Sequence, residues 1–206
     1  MVNPWQNILL SDYENHMKLN QVKQLQTLNK MMKKQFYQNP VKSIMILGIA
    51  GGNGLEHIDN NKIDKVYGVD INTQYLDECR KRYPNLDGIL KCLCVNLTEK
   101  NLELPYVDII IADLLIEYIG YKCFKNIIKI VKPKYVSSII QVNKETAFVS
   151  NSPYLHVFDD LNKVHHQINK KELITTMKSI GYCLIDKDDQ SLPNEKLLVQ
   201  LDFKRE

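Results

Sequence analysis

The sequence predicts an α/β fold: a mostly parallel sheet of seven strands ending in an antiparallel hairpin. Three observations predict it. From residue 43 onward, short and nearly continuous apolar runs alternate with helical patterns, as in a parallel sheet covered on both faces. A glycine cluster follows the first run directly and an aspartate closes the second. The last two apolar runs are separated by only a polar turn, too short for a parallel crossover.

The elements follow in order. Ser11-Asp12-Tyr13-Glu14 has the form of a capping box, and Val22, Leu25, Leu28, Met32 and Phe36 recur behind it at spacings of three and four. One long amphipathic helix is expected over most of residues 12–37, ended by Asn39-Pro40. The strands expected are Ser43–Leu47, Lys65–Val69, Ile89–Val95, Val107–Ala112 and Val136–Val142. Thr73–Arg82 reads as a helix, and Phe124, Ile127, Ile128 and Val131 mark another, closed by Pro133. Asn169, with Glu172 three residues on, opens a last helix that Gly181 stops; the hairpin is then Tyr182–Asp186 with Leu197–Phe203. Residues 1–40 thus form an N-terminal helical segment and residues 41–206 the sheet domain.

Composition limits the function classes. A chain of 206 residues, 44% hydrophobic and 25% charged, is that of an ordinary globular domain. The formal charge of +3 comes from scattered basic residues, which argues against a nucleic-acid surface. The five cysteines, Cys79, Cys92, Cys94, Cys123 and Cys183, have no CxxC spacing and read as reduced thiols. Neither a signal peptide nor an apolar run of membrane-spanning length is seen, so a cytoplasmic location is expected.

In an open α/β sheet, ligands sit beyond the carboxyl ends of the strands, where the strand order reverses. The cluster Gly48-Ile49-Ala50-Gly51-Gly52-Asn53-Gly54 follows strand one, and Asp70 follows strand two. A carboxylate so placed accepts hydrogen bonds from ribose hydroxyls. The dinucleotide motif G-x-G-x-x-G is incomplete, because His57 stands in the third position, and no G-x-x-x-x-G-K-[ST] is present.

These segments resemble the class I S-adenosylmethionine-dependent methyltransferases. The resemblance is carried by Ile46–Gly54, Val66–Asn72, Cys94-Val95-Asn96-Leu97 and Val107–Tyr118, in the family's order, and by the terminal hairpin. It implies a Rossmann-like sheet with S-adenosylmethionine as cofactor. It also implies a binding site made of Gly48, Ala50, Gly52, Asn53 and Gly54 in the loop, with Asp70 and Ile71 at the ribose. Asn96 and Leu97 would flank the adenine, Asn96 standing where an aspartate often meets the exocyclic amine, and Asp113 and Leu114 would line the methionine end. The N-terminal segment would act as a lid. Two positions depart from the family: its acid at the end of strand one is Gly48, and its first glycine is Ala50.

Methyl transfer rests largely on placing the acceptor against the methyl, and a base is needed only where a proton must leave. Candidate catalytic groups are Tyr13 and His16 on the first helix, Glu117 after strand four, and His165 and His166 in the stretch from Asn143 to Gln167. That stretch is long for a connection and rich in aromatic residues and histidine, which suits an acceptor pocket. Adjacent histidines point apart on a strand, so no metal site is expected. The segment Asp113–Tyr118 is not the [DN]-P-P-[YFW] of enzymes methylating amino groups on bases, which argues against nucleic-acid methylation. The long N-terminal helix and the 143–167 stretch suggest a closed site and so a small-molecule acceptor. A nicotinamide-dependent oxidoreductase, a protein methyltransferase and a non-catalytic nucleoside-binding module remain as alternatives.

Overall fold

The computed structural model describes residues 3–143 and 148–206. Its seven strands are β1 (Ser43–Leu47), β2 (Lys65–Asp70), β3 (Leu90–Cys94), β4 (Ile109–Asp113), β5 (Tyr135–Val142), β6 (Tyr182–Ser191) and β7 (Leu197–Arg205), in the spatial order β3-β2-β1-β4-β5-β7-β6. The first five pair in parallel, and β7 runs antiparallel to both β5 and β6. Among the described residues there are five α-helices: α1 (Leu10–Lys18), α2 (Gln24–Tyr37), α3 (Thr73–Arg82), α4 (Ile116–Val131) and α5 (Lys170–Lys178).

The two-residue period of a strand sorts its apolar side chains onto two faces. Ile44, Ile46, Ile109 and Ile111 share one core with Phe36 of α2 and Leu76 of α3. Met45, Leu47, Ile110 and Ala112 share the other with Phe124, Ile127 and Ile128 of α4 and Leu173 of α5. Fully burying each such aliphatic side chain stabilises by about 1.5–3 kcal/mol, so uninterrupted isoleucine in β4 is what a strand covered on both faces requires.

Registers place the functional loops together. Leu47 lies beside Val69 and Ala112, Asp70 beside Cys94, and Asp113 beside Ile139. The strand order reverses between β1 and β4, so the loops after β1, β2, β3 and β4 open on one edge.

Three expectations need correction. The long helix over 12–37 is two helices, because the chain turns at 19–23 with Lys23 left-handed at φ 49°. Buried Val22 in that turn keeps the apolar period running through the break. The capping box does not form: Leu9 is the N-cap of α1, without a side-chain cap, and Ser11 lies in its first turn. The hairpin strands are longer than expected, because cross-strand pairing carries polar residues up to Ser191↔Leu197. The glycine loop is followed by a turn of 3₁₀ helix at Leu55–His57. Among the described residues, no helix is long and apolar enough to cross a membrane.

Candidate functional site

Two adjoining cavities lie at the carboxyl edge of the sheet. The smaller, of about 80 Å³, is lined by Gly48 and Ala50 of the first loop, Asp70 and Ile71 of the second, Asn96 and Leu97 of the third, and Asp113 and Leu114 of the fourth. Gly52, Asn53 and Gly54 are not among its lining residues. A side chain at Gly52 would meet Tyr83 and Cys79, and one at Gly54 would meet Met32. Asn53 donates to the Leu25 carbonyl. Those three positions let the loop pack against α2 and α3.

Asp70 is 8% exposed and braces the site. Its Oδ2 accepts the Ala50 N–H and its Oδ1 the Asn72 N–H, both at 2.9 Å. Burial raises its pKa, while these backbone bonds act in the opposite sense. Ala50 at φ 48° and Leu114 at φ 53° are both left-handed without being glycine, and both line this cavity. Strain of that kind is retained where the surroundings over-determine the backbone, and it clusters at ligand sites. Gly48 is itself at φ 71°, so an acidic side chain there would be strained.

Asp113 carries an unused acceptor. Its Oδ1 accepts from Gln35 Nε2 at 2.9 Å, and its buried Oδ2 has no hydrogen-bond partner. Burial pushes its pKa up to about 7. Asn96 Oδ1 is taken by the Thr98 N–H and hydroxyl, at 3.1 and 2.7 Å.

An N-terminal strap covers the small cavity. Asn72 caps α3 and donates from Nδ2 to the Trp5 carbonyl at 3.0 Å, and the Tyr75 hydroxyl donates to the Ile8 carbonyl at 2.8 Å. The Arg82 guanidinium holds Glu14 of α1 with two bonds, of 2.5 and 3.0 Å. Trp5 then packs edge-on against Tyr13 and Tyr118, with centroids 5.5 and 4.9 Å away.

The larger cavity, about 810 Å³, lies on the other side of this aromatic cluster. All five candidate catalytic residues, Tyr13, His16, Glu117, His165 and His166, line it. Burial drives the His16 pKa down to about 4, and its Nδ1 sits 2.8 Å from Ser152 Oγ. His165 stacks on Phe148 at 3.9 Å, and burial lowers its pKa too. The His166 backbone N–H donates to the Glu117 carbonyl at 2.6 Å, tying this loop to the start of α4. Residues 144–147 of the long connection lie outside the described residues.

Glu117 is 5% exposed. Its Oε1 accepts the Gln141 N–H at 2.8 Å, its Oε2 has no partner, and burial raises its pKa to about 7. It stands in the first turn of α4, which Gly120 sets off from the rest with non-helical angles of φ 71° and ψ 166°. Sequence reasoning assigned nothing to Gln141 or Tyr75, since neither belongs to a motif and both act through partners distant in the chain.

Residues 46–136 match the family described as Methyltransferase domain. No curated protein matches the chain in sequence. Among solved structures it is similar to N-methyltransferase NodS from Bradyrhizobium japonicum WM9, with 11% identity, 99% of each chain covered and a TM-score of 0.68. It is also similar to magnesium protoporphyrin IX methyltransferase from Synechocystis PCC 6803, with 10% identity, 89% of this chain and 83% of the other covered, and a TM-score of 0.63. The [4+2]-cyclase SpnF has the same fold, at 10% identity with 87% and 80% covered and a TM-score of 0.65. The matched segment runs from β1 to the start of β5 and takes in all four loops of the small cavity. Residues 46–136 thus match a methyltransferase domain, and the chain as a whole has the fold of these methyltransferase structures.

Proposed function

We propose that this protein transfers a methyl group from S-adenosylmethionine to a small-molecule acceptor seated in the larger cavity. One observation carries the reading: Trp5, Tyr13, Leu114 and Tyr118 line both cavities, so a group held in one meets a group held in the other across a shared aromatic wall. A fold shared with a cyclase does not determine the reaction; the chemistry of the site does.

The residues of the small cavity suit the cofactor. Asp70 would accept the ribose hydroxyls, with Ile71 beside it and Gly48 and Ala50 bringing backbone close. Asn96, its oxygen already used, would offer its amide nitrogen to an adenine ring nitrogen, with Leu97 against the base. The free Oδ2 of Asp113 would take the α-amino group, a role the family gives to an acid where this chain has Gly48. Gly52, Asn53 and Gly54 would support the loop from behind. Bound there, the cofactor supplies a methyl made electrophilic by its sulfonium sulfur. A cavity of about 80 Å³ is far below the roughly 300–1,000 Å³ usual for such sites, so the strap carrying Trp5 must swing out to admit it.

In the larger cavity, His16 and His165 are neutral at pH 7 and able to accept a proton. Five free cysteines suit a reducing, cytoplasmic setting.

The test is a thermal melt with and without S-adenosylhomocysteine, with NAD as the competing ligand. Ligand at about a hundred times its dissociation constant stabilises by roughly 2.7 kcal/mol, or about 5–10 °C for a domain of this size. A shift with the homocysteine compound alone is expected. A shift with NAD alone would point to an oxidoreductase, and no shift with either to a non-catalytic module.

A further inference from the structure

Glu117 is one of the residues lining the large cavity, and one oxygen of its carboxylate has no partner among the described residues. Glu117 Oε2 is buried without a hydrogen-bond partner, while Oε1 is held by the Gln141 N–H. Among the described residues, no cation pairs with it. The Lys196 ammonium donates to the Phe148 carbonyl. The histidines facing the cavity with lowered pKa, His16 and His165, carry no charge at neutral pH. Lys170, Lys171, Glu172 and Asp189 also line this cavity, and Asp189 pairs with Lys187. Trp5, Tyr118, Phe148 and Phe158 contribute aromatic side chains to the same cavity.

A buried carboxylate is costly unless a charged donor pairs with it, and ring faces favour a cation over an anion. A carboxylate ligand would be repelled from this site. An alcohol would supply a hydrogen bond but no charge. An ammonium supplies both, and its hydrocarbon body suits the apolar walls.

Resting on the methyl-transfer reading above, we infer that the acceptor is a small amine that enters as its ammonium form and docks an N–H on Glu117 Oε2. Glu117 takes that proton and so frees the nitrogen lone pair. The lone pair forms the new nitrogen–carbon bond to the methyl, and the electron pair of the broken carbon–sulfur bond stays on sulfur, leaving a neutral thioether. The methylated ammonium product leaves with its charge, and Glu117 returns its proton to solvent.

Trp5 is the sole tryptophan and lines this cavity, so its fluorescence reports occupancy. The probes are phenethylamine, butylamine and cyclohexylmethylamine, against phenethyl alcohol and phenylacetate as neutral and anionic counterparts. At least one amine is expected to bind about tenfold or more tightly than phenethyl alcohol, with phenylacetate weakest. In Glu117→Gln, which keeps the acceptor for Gln141, that preference should vanish while alcohol binding persists; Glu117→Asp should retain part of it. Equal binding of amine and alcohol, failure of all three amines, or an amine preference that survives in Glu117→Gln overturns the inference. Calorimetry with S-adenosylhomocysteine on the same proteins separates the two readings. Cofactor binding without amine preference removes only the acceptor class, and no cofactor binding removes the reading beneath it.

Discussion

At the residue scale, the site is governed by carboxylates kept from water. Glu117 ionises near 4.5 in the unfolded chain and near 7 in the folded one. Between these values the folded protein holds the extra proton, so its contribution to stability is present below about pH 4.5 and lost as pH rises through 7. Asp113 acts in the same sense and His16 in the opposite one. Glu117→Gln removes the first contribution. Its stability relative to the parent should rise by on the order of 2–3 kcal/mol between pH 5 and pH 8 in urea melts; a constant difference would contradict the burial argument. Asp70 has a double role, because it holds two loop N–H groups as well as facing the cavity. Asp70→Ala should weaken S-adenosylhomocysteine binding at least about tenfold by calorimetry and also cost roughly 1–3 kcal/mol of stability from the freed donors. Unchanged affinity would remove the ribose assignment.

At the element scale, Gly120 and the turn at 19–23 shape the cavity. The angles at Gly120 belong to a region open essentially to glycine alone, and its missing side chain leaves the His166 ring 3.4 Å from where a Cβ would stand. Gly120→Ala should therefore destabilise by about 2–3 kcal/mol in chemical melts. A cost below about 0.5 kcal/mol, as for an ordinary helical site, would show that α4 needs no break. The turn at 19–23 was not legible in sequence for a definite reason. Buried Val22 keeps the helical period, and the left-handed residue that breaks the helix is a lysine with no turn signature. By contrast, the strands of the sheet were plain, because covering both faces demands unbroken apolar runs.

At the scale of the whole molecule, the N-terminal strap joins the two cavities and closes one of them. Arg82 and Glu14 are half-buried partners from elements far apart in the chain. Arg82→Ala should change global stability by less than about 1 kcal/mol, as partly exposed pairs do. It should nevertheless speed S-adenosylhomocysteine release in stopped-flow measurements and expose the first helix to limited proteolysis. Unaltered release would mean that the clasp plays no part in closure.

The sequence by itself determined the sheet, its hairpin, the resemblance to the methyltransferases and the loops that meet at the switch point, because these follow from local periodicity and from motifs read within a few residues. It also picked out Tyr13, His16, Glu117, His165 and His166, through residue chemistry and loop length. Only the tertiary structure decided that these five share one cavity, and that a side chain at Gly52 or Gly54 would meet α3 or α2 while Asn53 bonds the Leu25 carbonyl. Only the structure showed the free oxygens of Asp113 and Glu117. Burial and hydrogen-bond satisfaction depend on partners contributed from across the chain, such as Gln35 to Asp113 and Gln141 to Glu117, and no local pattern in a sequence encodes which group is left without one.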